Sequence, residues 1–487
     1  SLFDKRAAAL PLARKAATRT FVVVKALFRK MSNSDVEETS GHLLKHHLST
    51  WQGCGDGKGF PEEEMSNKVL NPLVKEWPNM NFKNANELVM GHIIVNDSKA
   101  GLRPPALLPG CVRANACRQI WWEPSTVKVG IVTCGGLCPG LNSIIRGVTN
   151  CLWRDYGVRD IFGMPAGYNG LSNPEKFPPI KLTPEVVAEI HMKGGSMLKA
   201  ARGGFDAEKI LDELHKLGVN MVFLVGGDGT HFAGNLLYEA ALKRGQPISI
   251  IGIPKSIDND VVMFDKTFGF DSAVAEASEV LRNGWVEATS CEKGVGIVKL
   301  MGRDAGFVVM CASLGSDQVD LALIPEVDVK LEDILAHVDS VIDRQGHMVI
   351  AVAEGAGQSF VATGEKDATG HTIYGDIGTF MRDQVNAHLK PKGGRSFYID
   401  PSYIIRSSPV RAVDHIFCSR LAIDAVHAGM RGYTGVCVGP IHNIIVMLPS
   451  KLIASGKKRV NVHRSAWQQC VQACGMPHSL SGMAAKD

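Results

Sequence analysis

The sequence predicts an α/β fold of two lobes, each built on a mainly parallel sheet covered by helices. Two observations carry this. From Val127 onward, short apolar and β-branched runs alternate with helical patterns, the texture of strand–loop–helix units laid parallel in a sheet. Several of these runs end in glycine-rich or acidic loops. Ligands of parallel sheets gather at the carboxyl ends of strands, so these loops are expected on one surface.

In order, Val127–Cys134 reads as a strand and Leu141–Arg154 as a helix, with Pro139 near its first turn. Met221–Val225 is apolar throughout, as a strand covered on both faces should be, and a helix over Phe232–Lys243 follows. Ser249–Ile253, Val295–Met301 and His347–Ala353 are further buried-strand candidates. Two successive lobes fit 127–255 and 256–450, within a core of 126–450. Residues 31–125 are punctuated by prolines, among them Pro61, Pro72, Pro78 and Pro104, and read as an irregular extension wrapped on that core. Residues 451–487 are polar and expected to be peripheral, with Lys457-Lys458-Arg459 a solvated loop.

Bulk properties exclude several classes. A net charge of +4 over 487 residues argues for neither nucleic acid nor membrane partners, and no run of eighteen apolar residues suggests a spanning helix. Twelve cysteines with no CxxC pair read as reduced thiols in an intracellular protein. The first thirty residues hold eight Lys or Arg and one acid, Asp4. That composition is like an organelle transit peptide. The expected location is cytoplasmic, with a plastid the alternative if residues 1–30 are a transit peptide.

The chemistry is concentrated in seven segments. In VFLVGGDGTHFAG, Val222–Gly234, a buried strand runs into glycines and an acid and then a helix. Glycines admit a close anion, helix-start amides donate to phosphate, and Asp228 stands where it could hold Mg²⁺. A tight βα turn with Asp228 as a cap would read the same. GIVTCGGLCPGLN, Gly130–Asn142, offers Gly135 and Gly136 in a second such loop. IPKSIDNDV, Ile253–Val261, brings Lys255, Ser256 and two acids behind a buried strand. Asp258 and Asp260 share a side if the segment is extended, one to accept a hydroxyl proton and one to bind metal; an Asx-rich turn is the alternative. In KLMGRDAGF, Lys299–Phe307, Arg303 suits phosphate oxygens and transition-state charge. Arg202, before Gly203 and Gly204, is a candidate phosphate clamp; Glu354 suits sugar hydroxyls; Tyr403 and Arg406 in YIDPSYIIR suit a sugar phosphate.

GGDGT alone is shared by several kinase families. The order GGxCPGxN, GGDGT, PKxIDND, KLMGRxxGF, AEG and YIDPSYxIR resembles the phosphofructokinase family, specifically its plant and trypanosomatid ATP-dependent branch, from Val127 to Pro449. The resemblance implies two Rossmann-like lobes with the active site in the cleft between them, and ATP-dependent phosphorylation of fructose 6-phosphate at its C1 hydroxyl, a step of glycolysis. It implies Asp258 as the base and Arg303 as stabiliser of the transferring phosphoryl group. Asp228 would bind Mg²⁺, with Asp260 a weaker candidate. Gly135, Arg202, Gly203, Gly227, Gly229 and Thr230 would line the nucleotide phosphates. Ser256, Ile257, Asp258, Met301, Gly302, Arg303, Glu354, Tyr403, Ile404, Ile405 and Arg406 would hold the sugar phosphate. Family members are usually homotetramers or dimers and many are allosteric, so self-association is expected.

Donor choice turns on Gly229 and Lys255. Pyrophosphate-using members carry Asp at the Gly229 position, where a carboxylate would crowd the α-phosphate of ATP. Lys255 is shared with them, but the plant-like ATP branch combines the same glycine and lysine. ATP is therefore expected, with pyrophosphate the alternative and a non-catalytic sugar-phosphate-binding subunit a further one. The sequence departs from bacterial members at Gly294, where they carry an arginine that reaches a neighbouring subunit's substrate.

Overall fold

The computed structural model describes residues 49–50, 69–83, 88–90, 110–362, 364 and 373–483. The basic segment 1–30 and most of the irregular extension lie outside them. A first sheet takes strands β1 (Leu88–Met90), β2 (Gly110–Arg113), β3 (Lys128–Thr133), β4 (Asp160–Met164), β5 (Ile180–Lys181), β6 (Met221–Gly226) and β7 (Ser249–Pro254). A second takes β8 (Gly294–Leu300), β9 (Leu321–Leu323), β10 (His347–Ala353) and β11 (Arg395–Ile399). The chain then returns to the first sheet with β12 (Val436–Ile441) and β13 (Ile444–Pro449). The spatial orders are β1-β2-β13-β12-β7-β6-β3-β4-β5 and β9-β10-β8-β11.

Strands β12, β7, β6, β3 and β4 are mutually parallel, and the second sheet is parallel throughout. The edges of the first sheet are antiparallel. The α/β class with two lobes holds. The division into successive lobes at 255/256 does not, because β12 and β13 close the first sheet after the second is complete. The strand Val436–Ile441 is buried at every position there, beside β7, as a strand covered on both faces should be.

The helices are α1 (Leu141–Arg154), α2 (Ala207–Leu217), α3 (Asp228–Arg244), α4 (Phe270–Thr289), α5 (Phe307–Ser316), α6 (Leu331–Gln345), α7 (Ile377–Leu389), α8 (Ser402–Ser407), α9 (Ala412–Met430) and α10 (Ser465–Ala473). They explain why β6 is apolar at every position. Val222 and Leu224 pack with Ile210 and Leu214 of α2 and Leu237 of α3. Phe223 and Val225 face the other way, into the cluster of Ile144 on α1 and Leu421 on α9. Alternate side chains thus enter two cores, and each fully buried aliphatic or Phe side chain contributes roughly 1.5–3 kcal/mol.

The tail is not peripheral. The turn Ser450–Ile453 lies against α3 in the first lobe, and α10 packs on α5 in the second. Trp467 is fully buried and its Nε1 donates to the Ser481 carbonyl at 2.7 Å. The polar composition hid this because only every third or fourth residue of α10, namely Trp467, Cys470 and Val471, faces the core. No helix among the described residues is long and apolar enough to cross a membrane.

Candidate active site

Strand register assembles the site. Pro254 at the end of β7 pairs with Gly226 at the end of β6, and Thr133 of β3 pairs with Val225. The loops Cys134–Gly136, Gly227–Thr230 and Lys255–Asp260 therefore leave one edge of the first sheet side by side. In the second sheet Leu300 pairs with Ala353, and Val298 with Ile399. Met301–Arg303, Glu354 and the approach to Tyr403 leave a single edge likewise. The two edges face each other: an idealised Cβ on Gly136 would stand 4.0 Å from Nη1 of Arg406.

On the first-lobe side the surface is mostly backbone. Gly227 precedes α3, and the Thr230 and His231 amides close back on the Gly227 carbonyl at 3.0 and 3.1 Å. The Gly226 carbonyl accepts from Lys255 N at 2.9 Å and from His231 Nε2 at 2.8 Å. Burial lowers the His231 pKa to about 4, so the ring is neutral and carries its proton on Nε2. A Cβ on Gly229 would meet nothing within 4 Å, so packing does not require glycine there. Gly135 donates to the Ala201 carbonyl at 2.9 Å, which draws the exposed Arg202 and Gly203 alongside. Lys255 is buried, and its Nζ would lie 3.8 Å from a Cβ on Gly135.

Between the lobes, Ser256 Oγ accepts from Asp258 N at 3.2 Å and donates to Asp260 Oδ1 at 2.6 Å. Asn259 has a left-handed φ of 54°, so the segment takes the Asx-rich turn rather than the extended run that would put Asp258 and Asp260 on one side. The Asn259 Oδ1 accepts from Thr267 N at 3.2 Å, which accommodates the turn. Asp260 is engaged by Ser256 and by Lys457 at 2.6 Å. Asp258 Oδ1, in contrast, is buried and has no hydrogen-bond partner. Burial first, then the charges of Asp260 and Glu354, push its pKa up to about 7, with Lys457 and Lys255 offsetting part of the rise. Asp228 behaves oppositely. Burial raises its pKa, but Lys457 and the Gly229 amide at 2.9 Å outweigh that and hold it below the usual range.

On the second-lobe side the groups are charged side chains. Arg303 lies over the Tyr374 ring, 4.7 Å from its centroid. It sits next to Gly302, whose φ of 139° excludes other residues from that bend. Burial raises the Glu354 pKa and the charge of Asp400 adds to the rise, while the charges of Arg303, Lys299 and Arg406 offset part of it. Arg406 stacks over Tyr403 at 4.8 Å. Tyr403 and Ile404 point outward, 76% and 60% exposed. Ile257 and Ile405 are core side chains, and Ile405 is fully buried, so each can offer a ligand only its backbone. At Gly294, a Cβ would come within 2.2 Å of the Ala288 carbonyl, so no arginine can stand at that strand start.

Sequence reasoning missed His231, Asp304, Tyr374 and Lys457. Histidine directly after GGDGT is a local signal for the first. Lys457 gave none, because it lies more than a hundred residues along the chain from each of the acids it meets.

A phosphofructokinase family profile matches residues 128–429. The chain is 39% identical over 421 residues to the chloroplastic ATP-dependent 6-phosphofructokinase 5 of Arabidopsis thaliana, covering 83% of this chain and 77% of that one. It is 37% identical over 429 residues to the ATP-dependent 6-phosphofructokinase of Borreliella burgdorferi, covering 85% and 95%. The crystal structure of the pyrophosphate-dependent phosphofructokinase from Marinobacter aquaeolei shares its fold, with a TM-score of 0.61 at 18% identity over 72% of this chain and 91% of that one. With its glycine loops and its charged side chains facing each other across one cleft, this chain belongs to the phosphofructokinase family.

Proposed function

We propose that the protein transfers the γ-phosphoryl group of ATP to the C1 hydroxyl of fructose 6-phosphate, giving fructose 1,6-bisphosphate and ADP in glycolysis. The observation that carries the mechanism is the Asp258 carboxylate, buried, unpartnered at Oδ1 and with its pKa at about 7 between the two lobes. A base with that value is ionised often enough to act and basic enough to take a proton. Asp258 takes the hydroxyl proton as the C1 oxygen attacks the γ-phosphorus, and the bond to the β–γ bridging oxygen breaks. Arg303 meets the charge on the transferring group. Glu354, Tyr403 and Arg406 orient the sugar phosphate, assisted by the backbone at Met301, Gly302, Ile404 and Ile405. Gly135, Arg202, Gly203, Gly227, Gly229 and Thr230 line the donor phosphates, and Lys255 adds a positive charge beside them.

Asp228 fits Mg²⁺. No cluster of three or more His, Cys, Asp or Glu arranged to hold a metal occurs among the described residues. That suits a cation which uses one or two carboxylates and completes its shell with water and donor phosphates. When bound, Mg²⁺ would neutralise charge on those phosphates. The open space at Gly229 supports ATP over pyrophosphate, because glycine there serves a ligand rather than packing. The protein is proposed to work as a homo-oligomer, tetramer or dimer, under allosteric control. Its proposed location is the cytoplasm, with a plastid as the alternative tied to residues 1–30. Substituting Asp258→Ser tests the mechanism: kcat should fall about 10²–10⁴-fold while sugar-phosphate binding is kept. Retained turnover would remove Asp258 from the role of base.

A further inference from the structure

The segment read from sequence as a solvated basic loop lies in the cleft. Lys457 Nζ stands 2.6 Å from Asp260 Oδ2, 3.3 Å from Asp304 Oδ2 and 3.5 Å from Asp228 Oδ2. These acids come from the start of α3 and from two loops, and from both lobes. Without a cation among them, the three carboxylates would repel one another in a partly desolvated space.

The backbone around Lys457 is pinned on both sides. Lys457 forms an antiparallel bridge with Val261, and Lys458 N donates to the Asp260 carbonyl at 2.7 Å. Lys458 Nζ donates to Asn259 Oδ1 and to the Phe264 and Asp265 carbonyls at 2.9–3.0 Å, which locks the IDND turn. Val460 N donates at 2.7 Å to Glu326 Oε1 in the second lobe, and the same carboxylate accepts from Gly306 N at 3.1 Å. Residues 454–464 are thus a strap from α3 across the cleft to α5 and α10. About a third of the Lys457 side chain reaches solvent, so a fixed backbone carries an ammonium on a flexible four-carbon stem at the edge of water.

We propose that this strap completes the active site, with Lys457 acting as a resident cation. It holds Asp228, Asp260 and Asp304 together before the metal–nucleotide arrives, and then gives up Asp228 to the metal and turns to the donor phosphates. Lys457 is a positioning residue in the first state and a phosphate contact in the second. The proposal rests on the assignment of Asp228 to the metal. It follows that a bare divalent cation competes with the lysine for Asp228, whereas a nucleotide-borne one offers the lysine a new partner.

The test is Mn²⁺ binding to the full-length, nucleotide-free protein, read from the electron paramagnetic resonance signal of free Mn²⁺. Lys457→Gln, and Lys457→Met as a second uncharged variant, should bind Mn²⁺ about tenfold or more tightly, the order expected when a competing charge a few ångströms away is removed. Lys457→Arg should bind it as the parent does. In steady state the uncharged variants should raise KM for the metal–nucleotide and leave KM for the sugar phosphate unchanged. Asp228→Asn should weaken Mn²⁺ binding. If it does, and both uncharged Lys457 variants bind Mn²⁺ no more tightly than the parent, the resident-cation proposal is overturned while the metal assignment stands. If Asp228→Asn leaves Mn²⁺ binding unchanged, both fall.

Discussion

The two walls of the cleft are made differently. The first-lobe wall is backbone: Gly135 and Gly227 follow strand ends, Gly229 opens α3 onto open space, and the neutral His231 braces the loop from behind. The second-lobe wall is side-chain charge: Arg303, Lys299 and Arg406 all act on the charge state of Glu354. A long polyphosphate needs room and many weak donors, which glycine loops supply. A compact sugar phosphate needs a few fixed charges and hydroxyl acceptors. The first wall should therefore be sensitive to added bulk and the second to lost charge.

Four substitutions or measurements break or sharpen that contrast. The largest effect is expected at Arg303. Arg303→Ala removes transition-state charge stabilisation and should lower kcat about 10²–10³-fold, measured at saturating concentrations of both substrates. A change confined to KM would make Arg303 a binding residue only. Next, Gly229→Asp should raise KM for ATP about tenfold or more while leaving KM for fructose 6-phosphate and the melting temperature unaltered, since a side chain there meets only open space. Unchanged ATP kinetics would refute the crowding argument.

The pH dependence follows from Asp258, whose pKa is about 7. The ionised form is the active one, so kcat/KM should rise with pH up to that value and flatten above it. A profile flat from pH 5 to 8 would place the base elsewhere. The smallest effect concerns stability. In the folded state Asp258 holds its proton up to about pH 7, whereas its ordinary value is 3.8. Between these values the folded state binds more protons than the unfolded one, so this group's contribution to stability declines as pH rises through the window. Asp258→Asn removes the buried charge and should raise the melting temperature at pH 8 by roughly 2 °C or more, with little change at pH 4. A lower melting temperature at pH 8 would mean that the carboxylate is stabilised by contacts the structure lacks.

How much of this was legible from sequence depended on whether the signal was local. Strands β3, β6, β7 and β10 fell where apolar runs placed them, because a strand buried on both faces has no polar positions to blur its ends. Helix α1 matched at both ends. The glycine and acid motifs were legible because each follows a strand directly, and register then brought them to two facing edges. The return of β12 and β13 to the first sheet was not legible, since an apolar strand carries no mark of which neighbour it will join. The strap was misread for the same reason. Lys457 and Trp467 belong to a polar stretch whose burial depends on surfaces of α3 and α5 formed by distant parts of the chain. The left-handed turn at Asn259 was half legible, because Asx residues favour turns while the same residue types also fit an extended run.

Fold, facing walls and family together converge on a cleft that phosphorylates fructose 6-phosphate with ATP. The most direct measurement is fructose 1,6-bisphosphate formation by the purified protein with Mg²⁺ and fructose 6-phosphate, supplied in parallel with ATP or with pyrophosphate. Product is expected with ATP and little or none with pyrophosphate; product with pyrophosphate alone would show that this cleft is not an ATP-dependent one.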